Sequence, residues 1–292
     1  MNILSLFDGM SCGRIALDRA GFNVGKYYAS EIDKYAIQVT QANWPETIQL
    51  GDVTKWREWG IDWSSIDLLI GGSPCQGFSF AGKQLAFNDP RSKLLFVYVD
   101  ILNHIKSKNQ KVKFLLENVK MKKEYMDVIT RFLGVEPVFI NSALVSAQNR
   151  QRFYWANWNI DQPEDKNITL TDILEAGSPE GTNPAAIVGR KLDEDGKRND
   201  SLDSKPVQCL EVHEHGKSRC LSTVAKDTVV SDLRAGRYPG SKAYRKLTPI
   251  ECERLQTVPD NYTNHVSNTQ RYKMLGNGWT VDVIAHIFRG IT

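Results

Sequence analysis

Between residues 1 and 158, short β-branched apolar runs alternate with longer amphipathic stretches, and this alternation is the strongest constraint on the fold. Asn2–Phe7, Lys26–Ser30, Asp67–Gly71, Lys113–Glu117, Pro137–Asn141 and Phe153–Asn157 have the composition of strands. Between them, Cys12–Ala20, Lys34–Asn43, Arg91–Ile105 and Lys122–Leu133 carry apolar residues at helical spacing. Strands alternating with helices predict βαβ units, and hence an α/β domain whose parallel sheet is covered on both faces. Ligands of such sheets bind beyond the carboxyl ends of the strands. The residues that follow the strands are therefore where chemistry is expected.

The pattern stops at Trp158. Residues 159–244 are rich in Gly, Pro, Ser, Asp and Lys, with short strand candidates at Val207–Val212, Cys220–Val224 and Thr228–Val230. Helical periodicity returns at Thr248–Thr257, Thr269–Leu275 and Val281–Arg289. The expected division is thus 1–158, a loop- and strand-rich segment 159–244, and a return at 245–292. No apolar run approaches the ~18–20 residues of a membrane span. The start MNILSLF lacks the basic region of a signal peptide, so a cytoplasmic protein is expected.

Composition excludes little else. The 37 basic and 34 acidic residues give a net charge of +3, which rules out a histone-like polycation but not a local basic groove. The cysteines Cys12, Cys75, Cys209, Cys220 and Cys252 form no CxxC pair and no zinc spacing. They are expected to be reduced thiols, any one of which could be a nucleophile, and no metal site is expected.

Five motifs follow the strands. Phe7-Asp8-Gly9-Met10-Ser11-Cys12-Gly13 links a strand to a helix, where small residues let a ligand approach a helix N-terminus. It is not the GxGxxG fingerprint, and a plain tight turn fits the same residues. Glu31 ends the next strand, where an acid can bond ribose hydroxyls; Asp33 beside it also suits a helix cap. Asp52 adds a third acid on that edge, and together they suggest an adenosine-type ligand held without a glycine-rich phosphate loop. In Gly71-Gly72-Ser73-Pro74-Cys75-Gln76-Gly77, the cysteine lies between proline and glutamine in a glycine-flanked loop, which makes it a nucleophile candidate. The polar stretch through Arg91 has the length and composition of a lid. Glu117 closes the apolar run Phe114–Leu116; burial there is expected to raise its pKa and suit it to give a proton or hydrogen bond near neutrality. In Gln148-Asn149-Arg150-Gln151-Arg152, a strand would point both arginines the same way, toward an anion or base edge. A solvated edge strand is the alternative.

Together these motifs resemble the DNA cytosine-5 methyltransferase family. The order carries the resemblance: Phe7-x-Gly9, Glu31, Asp52, Pro74-Cys75-Gln76, Glu117-Asn118-Val119, Gln148-x-Arg150-x-Arg152, Arg245-Lys246-Leu247-Thr248-Pro249-x-Glu251 and Gly276-Asn277-Gly278. It covers about 1–158 and 245–292 and is most similar to the de novo branch and its phage or bacterial relatives. Cys12 stands where many members have glycine, and Gly278 where the last motif usually has serine.

The resemblance implies a Rossmann-like S-adenosylmethionine-dependent methyltransferase sheet with a smaller target-recognition domain at 159–244. It implies methyl transfer to C5 of cytosine in double-stranded DNA at a short site, with S-adenosylhomocysteine as product. Cys75 would attack C6 of a flipped base, Glu117 would act at N3, and Arg150 and Arg152 would complete the catalytic set. Cofactor contacts would come from Phe7, Gly9, Ser11, Glu31, Ile32, Asp52, Val53, Pro74, Asn277 and Gly278. DNA contacts would come from Gln76, Ser79 and Arg91. The acid-free stretch 234–246 adds Arg234, Arg237, Lys242 and Arg245 as a phosphate-tracking strip, for which a solvated basic loop is the alternative. His213, His215, Lys217 and Arg219 form a second candidate group. A monomer acting without metal or membrane is expected, in a prokaryotic or phage setting. The rivals are an RNA cytosine methyltransferase, a catalytically dead binding module and a dinucleotide oxidoreductase. Ser-Pro-Cys-Gln-Gly-Phe-Ser, the Cys–Glu–Arg set and the missing GxGxxG stand against them in turn.

Overall fold

The computed structural model describes residues 1–73, 93–178, 181–195, 197–201, 203–214, 216–223 and 228–291. The chain forms two compact units: Met1–Asn141 with Gln151–Glu164 and Gly278–Thr292, and Ser142–Arg150 with Asp165–Asn277. Composition alone draws the boundaries at 158 and 244. Packing instead assigns Ser142–Arg150 and the helices up to Asn277 to the second unit.

The first unit holds β1 (Ile3–Leu6), α1 (Cys12–Arg19), β2 (Tyr27–Ser30), α2 (Lys34–Asn43), β3 (Ile48–Gln49), β4 (Leu68–Gly72), α3 (Lys93–Lys108), β5 (Lys113–Val119), α4 (Lys123–Leu133) and β6 (Val138–Asn141). The second unit contributes β7 (Gln148–Asn149), after which the chain returns to the first with β8 (Gln151–Ala156). Among the described residues these build a seven-stranded sheet in the order β3-β2-β1-β4-β5-β8-β6. The first five strands are parallel, as the alternation predicts. β8 runs antiparallel to both β5 and β6, which alternation alone does not reveal.

Burial explains why these runs are strands. Every residue of β1 and β2, and Leu68–Gly71 of β4, is buried, so both sheet faces are covered and the strands are mostly apolar, with Ser5 and Ser30 the buried polar positions in β1 and β2. On one face Leu4, Leu6, Leu69, Phe114 and Leu116 pack with Tyr98, Leu102 and Trp155. Trp155 is wholly buried and donates its indole N–H to Thr130 Oγ1 at 3.0 Å, which satisfies its one polar atom. α1 lies against β4 so closely that a Cβ at Gly13 would stand 2.5 Å from Ile70 Cδ1. The final helix of the first unit, α8 (Val281–Arg289), is tied to α1 by an Arg19–Asp282 ion pair at 2.8 Å.

The second unit contains α5 (Leu170–Ile173), β9 (Asn183–Arg190), β10 (Val207–Val212), β11 (Ser218–Arg219), β12 (Val229–Ser231), β13 (Gly236–Pro239), β14 (Arg245–Lys246), α6 (Pro249–Leu255) and α7 (Asn268–Asn277). Five of its strands form a sheet in the order β13-β10-β9-β12-β14, and β11 pairs in parallel with β7. Ala185, Leu210, Val212 and Val229 form a small core on one sheet face. The strand expected at Cys220–Val224 is instead the two-residue β11 just upstream, while β10 matches its expected bounds. Among the described residues no helix is long and apolar enough to cross a membrane.

α6 starts with Thr248 and Glu251 in a capping box with Pro249 inside the first turn, which is why the helix begins there. Its fully buried Glu253 meets Arg271 of α7 at 3.0 Å and also accepts hydrogen bonds from Thr263. Removing one partner of such a pair strands a buried charge. Arg271→Ala is therefore expected to lower unfolding stability by about 3–5 kcal/mol. The paired replacement Glu253→Gln with Arg271→Met is expected to recover part of that loss. Denaturant titration of both variants measures this.

Candidate active site

Strand register places the central carboxylate. Gly72 of β4 pairs with Glu117 of β5, and Arg152 of β8 pairs with Val119. Val119 and Glu117 share a face because strand side chains repeat every two residues. Arg152 is therefore a diagonal neighbour of Glu117, within reach of a long side chain. Arg152 Nε lies 2.8 Å from Glu117 Oε1, with both side chains largely buried. The other oxygen, Oε2, accepts the indole N–H of Trp279 at 3.1 Å. Gly72 makes room for this arrangement: a Cβ there would stand 2.9 Å from both Glu117 Oε2 and Trp279 Nε1. Beside them, Asn118 Nδ2 donates to Ser73 Oγ at 3.1 Å, which ties the end of β4 to the end of β5.

Trp279 was not among the residues expected from sequence. An aromatic residue just before an apolar helix has the appearance of core packing, and nothing local marks its N–H for a catalytic partner. Its position immediately after Gly278 is the one available signal.

Arg150 differs from the expectation. The strand is interrupted between β7 and β8 at Arg150, so the two-residue repeat does not relate it to Arg152. Arg150 is buried, and its Nη1 donates to Cys220 Sγ at 3.1 Å and to the carbonyls of Leu221 and Gly276 at 3.4 Å. It braces loop backbone within the second unit. Gly276 is required there, because a Cβ would lie 2.2 Å from the Ser222 carbonyl oxygen.

Around the carboxyl ends of β1 and β2, Phe7, Gly9 and Ser11 all have positive φ, near +60°. Two of the three are not glycine, so the β1–α1 loop is held in a conformation that costs energy, as is common at ligand sites. Glu31 fixes this loop: Oε2 accepts from Gly9 N, and Oε1 accepts from Ile32 N and Asp33 N, each at 2.8 Å. Ser11 is fully buried, bonding Asp8 and, at 3.0 Å, Thr40, so it shapes the loop from within. Ile32, between Glu31 and Asp33, is 77% exposed, which is unusual for an isoleucine. Asp52 caps the following turn through Oδ1, which accepts from Thr54 N, and the same contacts lower its pKa. Val53 is buried, and Asn277 is exposed at the end of α7.

Asp8 is displaced the other way. Desolvation by burial pushes its pKa up to about 6; bonds from Ser11, Ser5 and Tyr27 oppose the shift, and the charge of Glu31 adds to it.

Pro74, Cys75, Gln76, Ser79 and Arg91 lie outside the described residues. The other four cysteines are free thiols. Cys12, Cys209 and Cys252 are buried, and burial followed by the charges of Glu251 and Glu253 pushes the Cys252 thiol up to about 12. Cys220 accepts the Arg150 hydrogen bond. Within the basic strip, Arg245 makes a two-pronged bond to the fully buried Glu251 and also reaches Ser178, while Arg237 donates to Glu211. Arg234 and Lys242 are exposed. Lys217 donates to the carbonyls of Ala143, Ser146 and Ile168, and burial lowers its pKa. Among the described residues no group of three or more His, Cys, Asp or Glu side chains could hold a metal ion.

The family model of C-5 cytosine-specific DNA methylases matches residues 1–292. The chain belongs to this family. It is a DNA cytosine-5 methyltransferase that uses S-adenosylmethionine as methyl donor. The type II methyltransferase M1.ScrFI of Lactococcus lactis subsp. cremoris is 33% identical over 306 residues, 97% of this chain and 75% of its own. M.HhaI of Haemophilus parahaemolyticus is 29% identical over 315 residues, 98% of this chain and 93% of its own. The fold is shared with the Entamoeba histolytica methyltransferase EhMeth, at a TM-score of 0.67 and 18% identity, over 99% of this chain and 96% of that one. It is also shared with the S. pombe Dnmt2 methyltransferase, at 0.62 and 16%, over 99% and 97%.

Two outcomes follow from this geometry. A hydrogen bond to a charged group contributes about 1.5–3 kcal/mol. Trp279→Phe is therefore expected to lower kcat for methyl transfer about tenfold to a hundredfold. Gly72→Ala, which pushes on the same two atoms, should act in the same direction; steady-state kinetics on DNA reads both. For Asp8 the pKa is raised on folding, so its contribution to stability is complete below its ordinary value of 3.8 and is lost as pH rises through about 6. Against Asp8→Asn, the wild-type melting temperature is expected to fall progressively across that window and to stay level above it.

Proposed function

We propose that this methyltransferase acts at a short specific site in duplex DNA, on a cytosine turned out of the stack, through a covalent bond between Cys75 and C6. The observation that carries this reading is the Glu117 carboxylate held between Arg152 and Trp279 beside Ser73. Cys75 follows Ser73 by two residues in the sequence.

Cytosine C5 is too weak a nucleophile to take a methyl group unaided. The Cys75 thiolate forms a bond to C6 and the C5–C6 double-bond electrons move to C5, while Glu117, which takes up a proton from water as Arg152 leaves it, passes that proton to N3. In this step Arg152 turns from Oε1 of Glu117 to the O2 edge of the base, and Oε1 is left to meet N3. Trp279 stays on Oε2 and holds the carboxyl in place. C5 would then take the methyl group from the bound sulfonium, whose S–CH3 bond would break as the C–C bond forms, leaving S-adenosylhomocysteine. A base removes the C5 proton, the C5–C6 double bond reforms, the thiolate leaves and N3 returns its proton. Flipping the base costs a few kcal/mol and is what exposes C6 to Cys75.

S-adenosylmethionine, when bound, supplies the methyl as an electrophile on its sulfonium. The residues at the β1 and β2 ends fit this group. Exposed Ile32 and half-buried Phe7 offer apolar surface for the adenine. Three backbone N–H bonds fix the Glu31 carboxylate and leave one of its roughly four lone-pair sites for a ribose hydroxyl. Gly9 has nothing within 4 Å of where a Cβ would stand, so backbone is open to the methionine end. Asp52 and Val53 extend the adenine side, and Asn277 and Gly278 complete the methionine end. Pro74 joins the cofactor set. Gln76, Ser79 and Arg91 contact the DNA around the flipped nucleotide, and 159–244 supplies target recognition.

Cys75→Ala is expected to abolish methyl transfer while S-adenosylmethionine binding, measured by calorimetry, survives. DNA containing 5-fluorocytosine is expected to trap a covalent adduct with the wild type and none with the variant. Normal turnover by Cys75→Ala, or no adduct under turnover conditions, overturns the covalent mechanism. Greater transfer to tRNA than to duplex DNA overturns the choice of substrate.

A further inference from the structure

Glu211, on β10, gathers three arginines from three other strands. Arg190 of β9 donates Nε to Oε1 at 2.8 Å and Nη2 to Oε2 at 2.9 Å. Arg219 of β11 donates Nη2 to Oε2 at 2.9 Å, and Arg237 of β13 donates Nε to Oε1 at 3.1 Å. These four bonds fill the roughly four lone-pair positions of a carboxylate. Register explains the convergence: Glu211 pairs with Ala186 on one side and Arg237 on the other. Arg190 lies on the Ala186 face, four residues along. Leu210 and Val212 point to the opposite face, where the small core sits.

One arginine neutralises one carboxylate. The second and third leave the cluster at +2, and they repel each other at short range. The Arg219 and Arg237 side chains are 39% and 33% exposed, and each commits only one of the five N–H donors of a guanidinium to Glu211. Among the described residues no hydrogen bond from either side chain to any other residue is present. Surplus oriented donors with net positive charge fit an anion. β13, β10 and β9 are adjacent strands, so the row is about 10 Å wide, enough to meet more than one backbone phosphate. β11 also pairs Arg219 with Asn149, three residues upstream of Arg152 in the chain.

We propose that Arg190, Arg219 and Arg237, set in position by Glu211, form a phosphate-binding face of the second unit that holds the backbone of duplex DNA, an inference that rests on the DNA methyltransferase reading above. Glu211 is then a positioning residue: it takes charge away from the face but fixes where the donors point.

The test is the affinity of the full-length protein for a fluorescent random-sequence duplex, measured by anisotropy across a salt series with S-adenosylhomocysteine present. Each lost phosphate contact makes the slope of log K against log salt shallower by about 0.9. Arg219→Gln and Arg237→Gln are each expected to weaken binding several-fold at low salt and to flatten the slope by about that amount, with S-adenosylmethionine affinity unchanged. Glu211→Gln makes the face more positive, so charge alone would tighten binding, whereas loss of positioning weakens it. Weaker binding is expected. Tighter binding by Glu211→Gln overturns the positioning role, and unmoved affinity and slope in both exposed arginine variants overturn the phosphate face. The arginine variants decide the matter if Glu211→Gln does not fold. Methyl transfer to DNA by the wild type is measured alongside: its absence defeats the functional reading, while normal transfer with unmoved slopes defeats only this inference.

Discussion

The Glu117 carboxylate is the constraint around which the first unit is arranged. Holding it takes four segments far apart in the chain: Gly72 for space, Glu117 itself, Arg152 on one oxygen and Trp279 on the other. A parallel sheet supplies two of these, because β4 and β5 end side by side and in register. The third depends on the reversal of β8. Running antiparallel, β8 brings its first residues against the carboxyl end of β5, so Arg152 meets Glu117. A parallel β8 would present its carboxyl end there and set Arg152 at the far edge. Among the described residues, the antiparallel strand thus falls where it brings a guanidinium to the Glu117 carboxylate.

How much of this was legible depended on whether the signal was local. Both faces of the sheet are covered, so β1, β2, β4 and β5 are apolar runs, and their expected bounds differ from the observed ones by one or two residues. Glu117 stood out because a carboxylate ended such a run. The direction of β8 was not legible, since parallel and antiparallel strands of a covered sheet have the same composition. β9 was missed because Asn183-Pro184-Ala185-Ala186 is small and contains proline, while its strand character comes from neighbours on both sides. The Arg150–Arg152 comparison failed for a similar reason. The two-residue repeat holds within a continuous ladder, and the ladder is interrupted at Arg150.

Charge counting was the weakest guide, and the second unit shows why. Six of its arginines are placed by carboxylates: Arg245 by Glu251, Arg254 by Asp260, Arg271 by Glu253, and three together by Glu211. A net charge of +3 cannot distinguish an arginine that braces a buried acid from one that remains oriented with donors to offer. The acid-free run 234–246 contains both kinds. Arg245 is bound two-pronged to an acid with no exposed surface, whereas Arg237 shares its carboxylate with two other arginines and keeps most of its donors. Acid-free in sequence is therefore not acid-free in space.

The same distinction bears on where substrate choice resides. On the function proposed above, the Glu117–Arg152–Trp279 arrangement would address the edge of a single base and nothing around it. The loop at Phe7–Ser11 and the fixed Glu31 would, on the same proposal, address S-adenosylmethionine, which the whole family uses. Chains as little as 16–20% identical keep this fold over nearly their full length, so the sheet is compatible with widely different sequences. On that proposal, discrimination between nucleic acids would come from groups that reach beyond the target base. In the second unit arginines are set in place by the hydrogen bonds they donate to Glu211 of the five-stranded sheet, and a phosphate backbone would be met by such oriented donors at lower entropic cost than by mobile lysines.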